Sequence, residues 1–321
     1  MSAGELIILL LQKTIIYAIP LMIVGLAGVF AERSGIINLA LEGEMIFGAF
    51  MGTVFVRICQ KNGWLVDKVQ LLFVLALLVS SVFGAIFSLL LSFSAVKLKA
   101  DQTIAGTALN MLAPAIVCTF GLLFFNSERI STGLNYKILN SNLKGLFAVL
   151  FGDMFISTYI IIAVFILLSL WLYKSKTGMH LRACGEHPQA ADSVGINVYK
   201  MRYLGTTISG ALAGLGGYAY IAACRAAEAQ DSIAGMGFLA LAIMIFGNWS
   251  PIGISLGALL FGFLINLGVL SANIPFLANL NIKMYFYNII PYIMVLVVLV
   301  IRRNKSGCPK AEGIPYDKGM R

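Results

Sequence analysis

KSKTGMHLRACGEHPQAADSVGINVYKMR, residues 174–202, is a strongly polar stretch set between two very apolar ones. Lys174, Lys176, Arg182, Lys200 and Arg202 stand against Glu186 and Asp192, so it nets +3. It also holds both histidines of the chain, His180 and His187. Within it, Pro188 suits the first turn of a helix, where its missing N–H costs nothing, and Gly195 suits the far end. The spacing predicts a helix of about two turns, too short to persist in water unaided. It reads either as a docking element held by a partner or as an ordinary solvated loop.

The flanks of this loop read as membrane. Of 321 residues, 60% are hydrophobic and 12% charged, where a soluble domain carries roughly 25% charged. That balance places the chain in the membrane class. At about 20 residues per span plus loops, the length gives about eight to ten helices in an all-α polytopic integral membrane protein. The division that follows is a transmembrane region over 1–301, containing the 174–202 loop, and a basic tail over 302–321.

The net charge of +9 is no nucleic-acid footprint. It is concentrated in the central loop and in the tail from Arg302, which nets +4 (six basic residues against Glu312 and Asp317). Basic residues beside apolar spans mark the cytoplasmic side. The loop, the tail, 97–103 and the turn at 31–35 are therefore expected in the cytoplasm of a cell-membrane protein. The loops at 57–70, 126–153 and 271–283 are expected outside, with the N-terminus. The five cysteines form no CxxC pair, so neither a disulfide framework nor a zinc site is indicated. The first apolar run lacks a basic leader and reads as a retained span.

Upstream of the loop, spans are expected at 6–30, to about 56, 71–96, 104–125 and 155–173. The second is unusual. Glu32, Arg33, Asn38, Glu42 and Glu44 crowd its start, and each acidic group at mid-bilayer costs roughly 2.5–3.5 kcal/mol on insertion scales. They must lie near an interface, face protein or water, or ride on a broken helix. Downstream, Gly210, Gly214 and Gly217 fall at small-residue spacing in the run 203–224, which lets helix backbones approach closely. Residues 238–247 are too short to span; NWSP breaks the run before 252–270. Such an arrangement suits a re-entrant or broken helix. A last span is expected at 284–301.

No P-loop or HExxH occurs, and the single G-x-S-x-G spacing, GISLG at 253–257, lies inside an apolar run and forms no nucleophile elbow, which argues against an enzyme and against ATP hydrolysis by this chain. Transport fits better. Asn38, Glu42, Asn110 and Asn248 are polar groups in or beside spans and are candidates to line a pathway. Bonds between helices and helix-end anchoring are the plainer alternative for each.

The stretch GEHPQAADSVGINVYKMRYLGTTISGALAGLGGYAY resembles the signature region of permease subunits of bacterial ABC importers, in the branch serving simple sugars, nucleosides and branched-chain amino acids. ERSGIINLALEGEM, KADQTIAGTALNML, GFLALAIMIFGNWSP and GIPYDKGMR resemble further motifs of that family, in order, over most of the chain. The early and terminal motifs resemble those of nucleoside and simple-sugar permeases, above all the shorter of two permeases that pair in a nucleoside importer. The resemblance implies a coupling helix that inserts into a cytoplasmic ATPase, matched by Gly185, Glu186, Pro188, Ala190, Ala191 and Gly195, with His187 where asparagine is more usual. Small Ala190 and Ala191 would allow close approach, and Glu186 would meet basic groups on the partner. It also implies a second permease, an extracytoplasmic substrate-binding protein, and surrounding lipid. No cofactor is expected on this chain, ATP and Mg belonging to the ATPase, and no nucleic acid. Nucleosides are the first expectation for the substrate, with sugars or branched-chain amino acids as alternatives. An ion-coupled carrier, for which Glu42 would be the titrating group, is the rival from another class.

Overall fold

A computed structural model describes residues 3–138, 152, 154–271, 284–302 and 307–318. In chain order these form α1 (Ala3–Arg33), α2 (Leu41–Lys61), α3 (Val69–Ser92, ending in a π turn, Phe93–Lys97), α4 (Gln102–Phe125), β1 (Ile130–Ser131), α5 (Ile156–Lys174), α6 (Lys176–Glu186), α7 (Pro188–Ser193), α8 (Val198–Cys224), β2 (Glu228–Ala229), α9 (Met236–Phe246), α10 (Pro251–Leu270) and α11 (Met284–Arg302). Among the described residues six helices are long and apolar enough to cross a membrane: α1, α3, α4, α5, α8 and α10. Two more, α2 and α11, have 21 and 19 residues, although α2 is made more polar by its acidic start. The chain is an all-α, multi-pass membrane protein.

From Ala18 to Ala31 α1 is apolar on every side and enclosed on every side. Leu21, Ile23, Val24, Leu26, Ala27, Val29 and Phe30 are buried, as expected of a helix without a polar face. α8 packs closely against its other neighbours, α3 and α2. A Cβ on Gly214 would overlap the Ser80 carbonyl of α3, and one on Gly210 would overlap Ser88. A Cβ on Gly217 would overlap the Met45 carbonyl of α2. The Ser80 hydroxyl donates to the Gly214 carbonyl across the same seam. The three glycines picked out by spacing are thus where α8 meets α3 and α2.

α9 has 11 residues, about 16 Å of helix, half of a hydrocarbon core. The break after it falls at NWSP. Asn248 and Trp249 adopt φ of 53° and 55°; Ser250 then caps α10 by accepting from Gly253 N–H, with Pro251 in the first turn.

The loops gather at two ends. At one end, the Gln102 side chain accepts from Ile37 N–H (2.8 Å), Arg33 pairs with Glu186 (3.4 Å), Lys99 pairs with Asp317, and Tyr173 OH donates to the Trp249 carbonyl (2.8 Å). This end collects 31–37, 97–102, 174–202 and 307–318, segments expected together from charge, and also 247–250, which the charge pattern did not assign. At the other, Gln60 and Gln70 donate to the carbonyls of Thr132 and Tyr136 (2.8 and 3.1 Å), and β1 pairs with β2. Most of the predicted 271–283 loop lies outside the described residues. The predicted tail is not a separate appendage: its described part, 307–318, folds back onto the loop end.

Candidate functional site

Between α1 and α2 the chain does not stay at the loop end. Residues 34–40 run back into the bundle as non-helical backbone. Asn38 is fully buried and donates to Ser209 Oγ (2.9 Å), which lies eleven residues, about 16 Å, along α8. So α2 begins deep inside the bundle. Of the alternatives open for the acidic start, the structure shows an interrupted helix path whose acidic groups face protein. Asn38 Nδ2 donates to both Glu44 oxygens (3.2 and 3.0 Å), and its Oδ1 accepts from Ala40 N–H (3.0 Å).

Asn110 of α4 clamps the same start. Its Oδ1 accepts from Gly43 N–H (2.7 Å) and its Nδ2 donates to the Leu39 carbonyl (2.6 Å). Gly43 is required by this contact: a Cβ would come within 2.8 Å of the Leu109 carbonyl.

Glu42 faces the other way, to α9. Its two oxygens accept from Gly235 N–H (2.9 Å) and Gly237 N–H (2.6 Å). These are donors that the first turn of a helix leaves unpaired, and the N-terminal end of the helix dipole favours a negative group there. Gly235 sits at φ +72°, and a Cβ on Gly237 would overlap the Glu42 backbone. Two helices that begin within the bundle, α2 and α9, therefore meet at Glu42. Polar groups at the starts of discontinuous helices are how transporters build sites at mid-membrane.

From Gly43 the same face of α2 continues as Phe47, Phe50, Met51 and Val54, opposite Ile116, Phe120 and Phe124 of α4. They wall a cavity of about 950 Å³ whose far-end rim carries Arg57 and Lys61. Phe120 and Phe124 stack with centroids 5.7 Å apart. This is a trough with aromatic walls between α2 and α4, farther along both helices than the Asn110 clamp.

In the polar loop, α7 forms as predicted, with Pro188 in its first turn and Gly195 at φ +87° beyond its end. Its faces differ. His187, Gln189, Ala190, Val194 and Gly195 are exposed. Pro188 and Ala191 are buried, Ala191 in a small cluster with Cys184, Val198 and Tyr316. Gly185 lies so close to the Arg33 carbonyl that a Cβ would overlap it, and its own carbonyl accepts from Ala311 N–H (2.9 Å).

The model of the family described as branched-chain amino acid transport system / permease component matches residues 10–299. The chain belongs to this family. It is 35% identical to the guanosine ABC transporter permease protein NupQ of Bacillus subtilis over the whole of both chains. It is 37% identical to the nucleoside ABC transporter permease protein NupC of Lactococcus lactis over 97% of each. The nucleoside ABC transporter permease protein NupB of the same organism is 24% identical over 94% of this chain and 83% of its own. No solved structure matches.

This permease brings together three of the four polar residues singled out from sequence: Asn38, Glu42 and Asn110 surround the start of α2. Asn248 stands apart. It is exposed at the loop end, one α9 length from Glu42, and its Oδ1 accepts from Gly307 N–H (2.7 Å). The structure adds to the picture of the loop. Glu186 is paired with Arg33 of the same chain (3.4 Å) while its side chain stays partly exposed. Ala191 faces inward, which leaves Ala190 as the small exposed residue. Arg202 is buried at 1% exposure, beneath Gly35, so the charge displayed by the loop is smaller than its composition. The aromatic trough was missed by sequence reasoning; its signal was the spacing of Phe47, Phe50 and Val54 after Gly43.

Proposed function

We propose that the permease carries nucleosides inward as one half of a permease pair, with the second half a paralogous permease. The observation that supports this best is end-to-end similarity to two permeases named for guanosine and nucleosides, on a chain whose trough between α2 and α4 has aromatic walls. Aromatic faces suit a purine or pyrimidine ring. NupB and NupC are two nucleoside permeases of one organism, which supports a paralogous pair here. An extracytoplasmic binding protein would deliver substrate to the Arg57 end.

In this reading the loop end is cytoplasmic, on the strength of its basic residues. The exposed face of α7, with His187, Ala190 and Gly195, docks a separate ATPase that binds ATP and Mg. The permease itself hydrolyses nothing. Carboxylate chemistry of the ion-coupled kind finds little support, because both Glu42 oxygens are already engaged by backbone N–H groups.

The test is uptake of labelled guanosine by cells with and without the chain, competed by unlabelled nucleosides, ribose or leucine. Competition by nucleosides alone is expected. Guanosine uptake that does not depend on the chain, or that ribose or leucine competes as well as nucleosides do, would overturn the substrate assignment.

A further inference from the structure

α9 is held at both ends. Its start is fixed by Glu42 of α2, the helix that forms one wall of the trough. Its other end is fixed at the loop end by the turn Asn248–Trp249: the Trp249 indole donates to Glu32, Tyr173 OH donates to the Trp249 carbonyl, and Asn248 accepts from Gly307. A short helix pinned this way moves as a rod.

The segment beginning at Gly307 continues straight onto the docking loop. Ala311 N–H donates to the Gly185 carbonyl (2.9 Å), and Gly313 N–H to the Gly35 carbonyl (3.3 Å). Tyr316 is 5% exposed, packed in the cluster with Cys184 and Ala191, its ring centroid 5.2 Å from that of Tyr199. Lys318 pairs with Asp192 of α7 (3.8 Å), and Asp317 with Lys99. The strap thus covers the inner face of α7 at one end and bonds the α9 turn at the other.

We propose that residues 307–318 are a connecting strap that transmits movement of α7 to the inner turn of α9, and through α9 to Glu42 and the trough. The inference rests on ATPase docking at the exposed face of α7. The strap's partners match this role. Its grip on α7 is on the side away from that face, through Tyr316 against Ala191, so docking and strap do not compete. Its grip on α9 is at Asn248, whose left-handed backbone projects the side chain out of the turn. A second route exists, from Gly185 through α1 to Glu32 and Trp249, and the test must separate the two.

Phe238 lies in the first turn of α9 and is 49% exposed, so it reports the far end of the rod. F238C is introduced in a background carrying C118S, C224S and C308S. Maleimide labelling is followed in native membranes holding the full complex, with and without ATP and vanadate. In the full chain, trapping is expected to change the labelling rate by about threefold or more. A chain ending at Ser306 is expected to recover the ATPase in a pull-down and to trap nucleotide, yet to show no change in labelling. The same ATP-dependent change in the shortened chain would assign transmission to the α1 route and overturn the proposal; so would an unresponsive F238C in the full chain. If shortening abolishes assembly, Y316A and N248A decide. Each is expected to weaken the response, and together no more than the stronger one alone, because both cut one linkage. Additive effects, or none, overturn it. Nucleoside uptake is not the readout, so a wrong substrate assignment leaves this result intact.

Discussion

Glu42 holds the backbone nitrogen of Gly237 at 2.6 Å, joining the start of α2 to the start of α9 inside the bundle. The bond and its companion to Gly235 satisfy two N–H groups that have no partner within α9. Removing the carboxylate leaves both without an acceptor, at about 1–3 kcal/mol each. E42A is expected to lower the thermal midpoint of the solubilised protein and to reduce uptake about tenfold or more. E42Q keeps one acceptor and should fall between. A proton on either oxygen would displace one of these bonds, so uptake by the unaltered protein should not respond to an imposed proton gradient. Uptake driven by that gradient and lost in E42Q would instead favour a carrier.

Gly217 and Gly195 are both glycines for different reasons, and substitution should separate them. Gly217 lets the Met45 carbonyl sit where a Cβ would be, and overpacking a close seam costs about 1–3 kcal/mol or more. Gly195 has nothing near its Cβ position but adopts φ +87°, a left-handed conformation that costs an L residue about 1–2 kcal/mol. G217V is expected to prevent accumulation of folded protein. G195A is expected to accumulate normally and to weaken ATPase recovery, because the strain falls on the exposed end of α7. Equal loss of folded protein in both would show that the α7 turn is needed for folding itself.

Local chemistry made much of this legible in the sequence. Pro188 and Gly195 announce a helix start and stop through N–H and φ requirements that do not depend on the fold. NWSP announces the α9–α10 break, and Asn38, Glu42 and Asn110 stand out because polar groups are costly among apolar ones. What stayed hidden is facing. The pairing of Glu186 with Arg33 joins residues 153 positions apart, and nothing near Glu186 indicates it. Phenylalanine is ordinary on any span, so Phe120 in the trough looks no different from one facing lipid. The strap reads as a solvated basic tail because its docking depends on backbone donors at Ala311 and Gly313 and on one tyrosine. Its charges meet only on distant segments, Asp317 on Lys99 and Lys318 on Asp192.

Neighbouring alanines in α7 should behave oppositely. Ala190 is exposed, while Ala191 is 4% exposed against Cys184 and Tyr316. A carboxylate at 191 would be buried without a partner, a change that destabilises by several kcal/mol unless the segment moves out. A191E is expected to lower the thermal midpoint and detach the strap even without an ATPase present. A190E should leave the isolated chain's stability within about 0.5 kcal/mol of the original and abolish ATPase recovery in a pull-down. Retention of the ATPase by A190E would remove α7 from the docking surface.

The strap's hold should depend on pH through Glu312. Burial pushes its carboxyl above the ordinary 4.5, against the lowering pull of its hydrogen bonds with Cys308 and Glu32 and of the nearby Arg33 charge. The docked strap therefore binds the Glu312 proton more tightly than the free strap does. The stabilisation is complete below the ordinary value and is lost as pH rises through the raised one. Cys308, its thiol pushed up to about 12 by burial and by Glu312, stays neutral across that window and does not contribute to the slope. Amide exchange at Ala311 and Gly313, corrected for intrinsic rates, is expected to show stronger protection at about pH 5.5 than at about pH 8. E312Q should flatten the difference, since the amide carries no charge to desolvate. A pH dependence that survives E312Q would transfer the effect to Glu32, the other carboxylate of the pair.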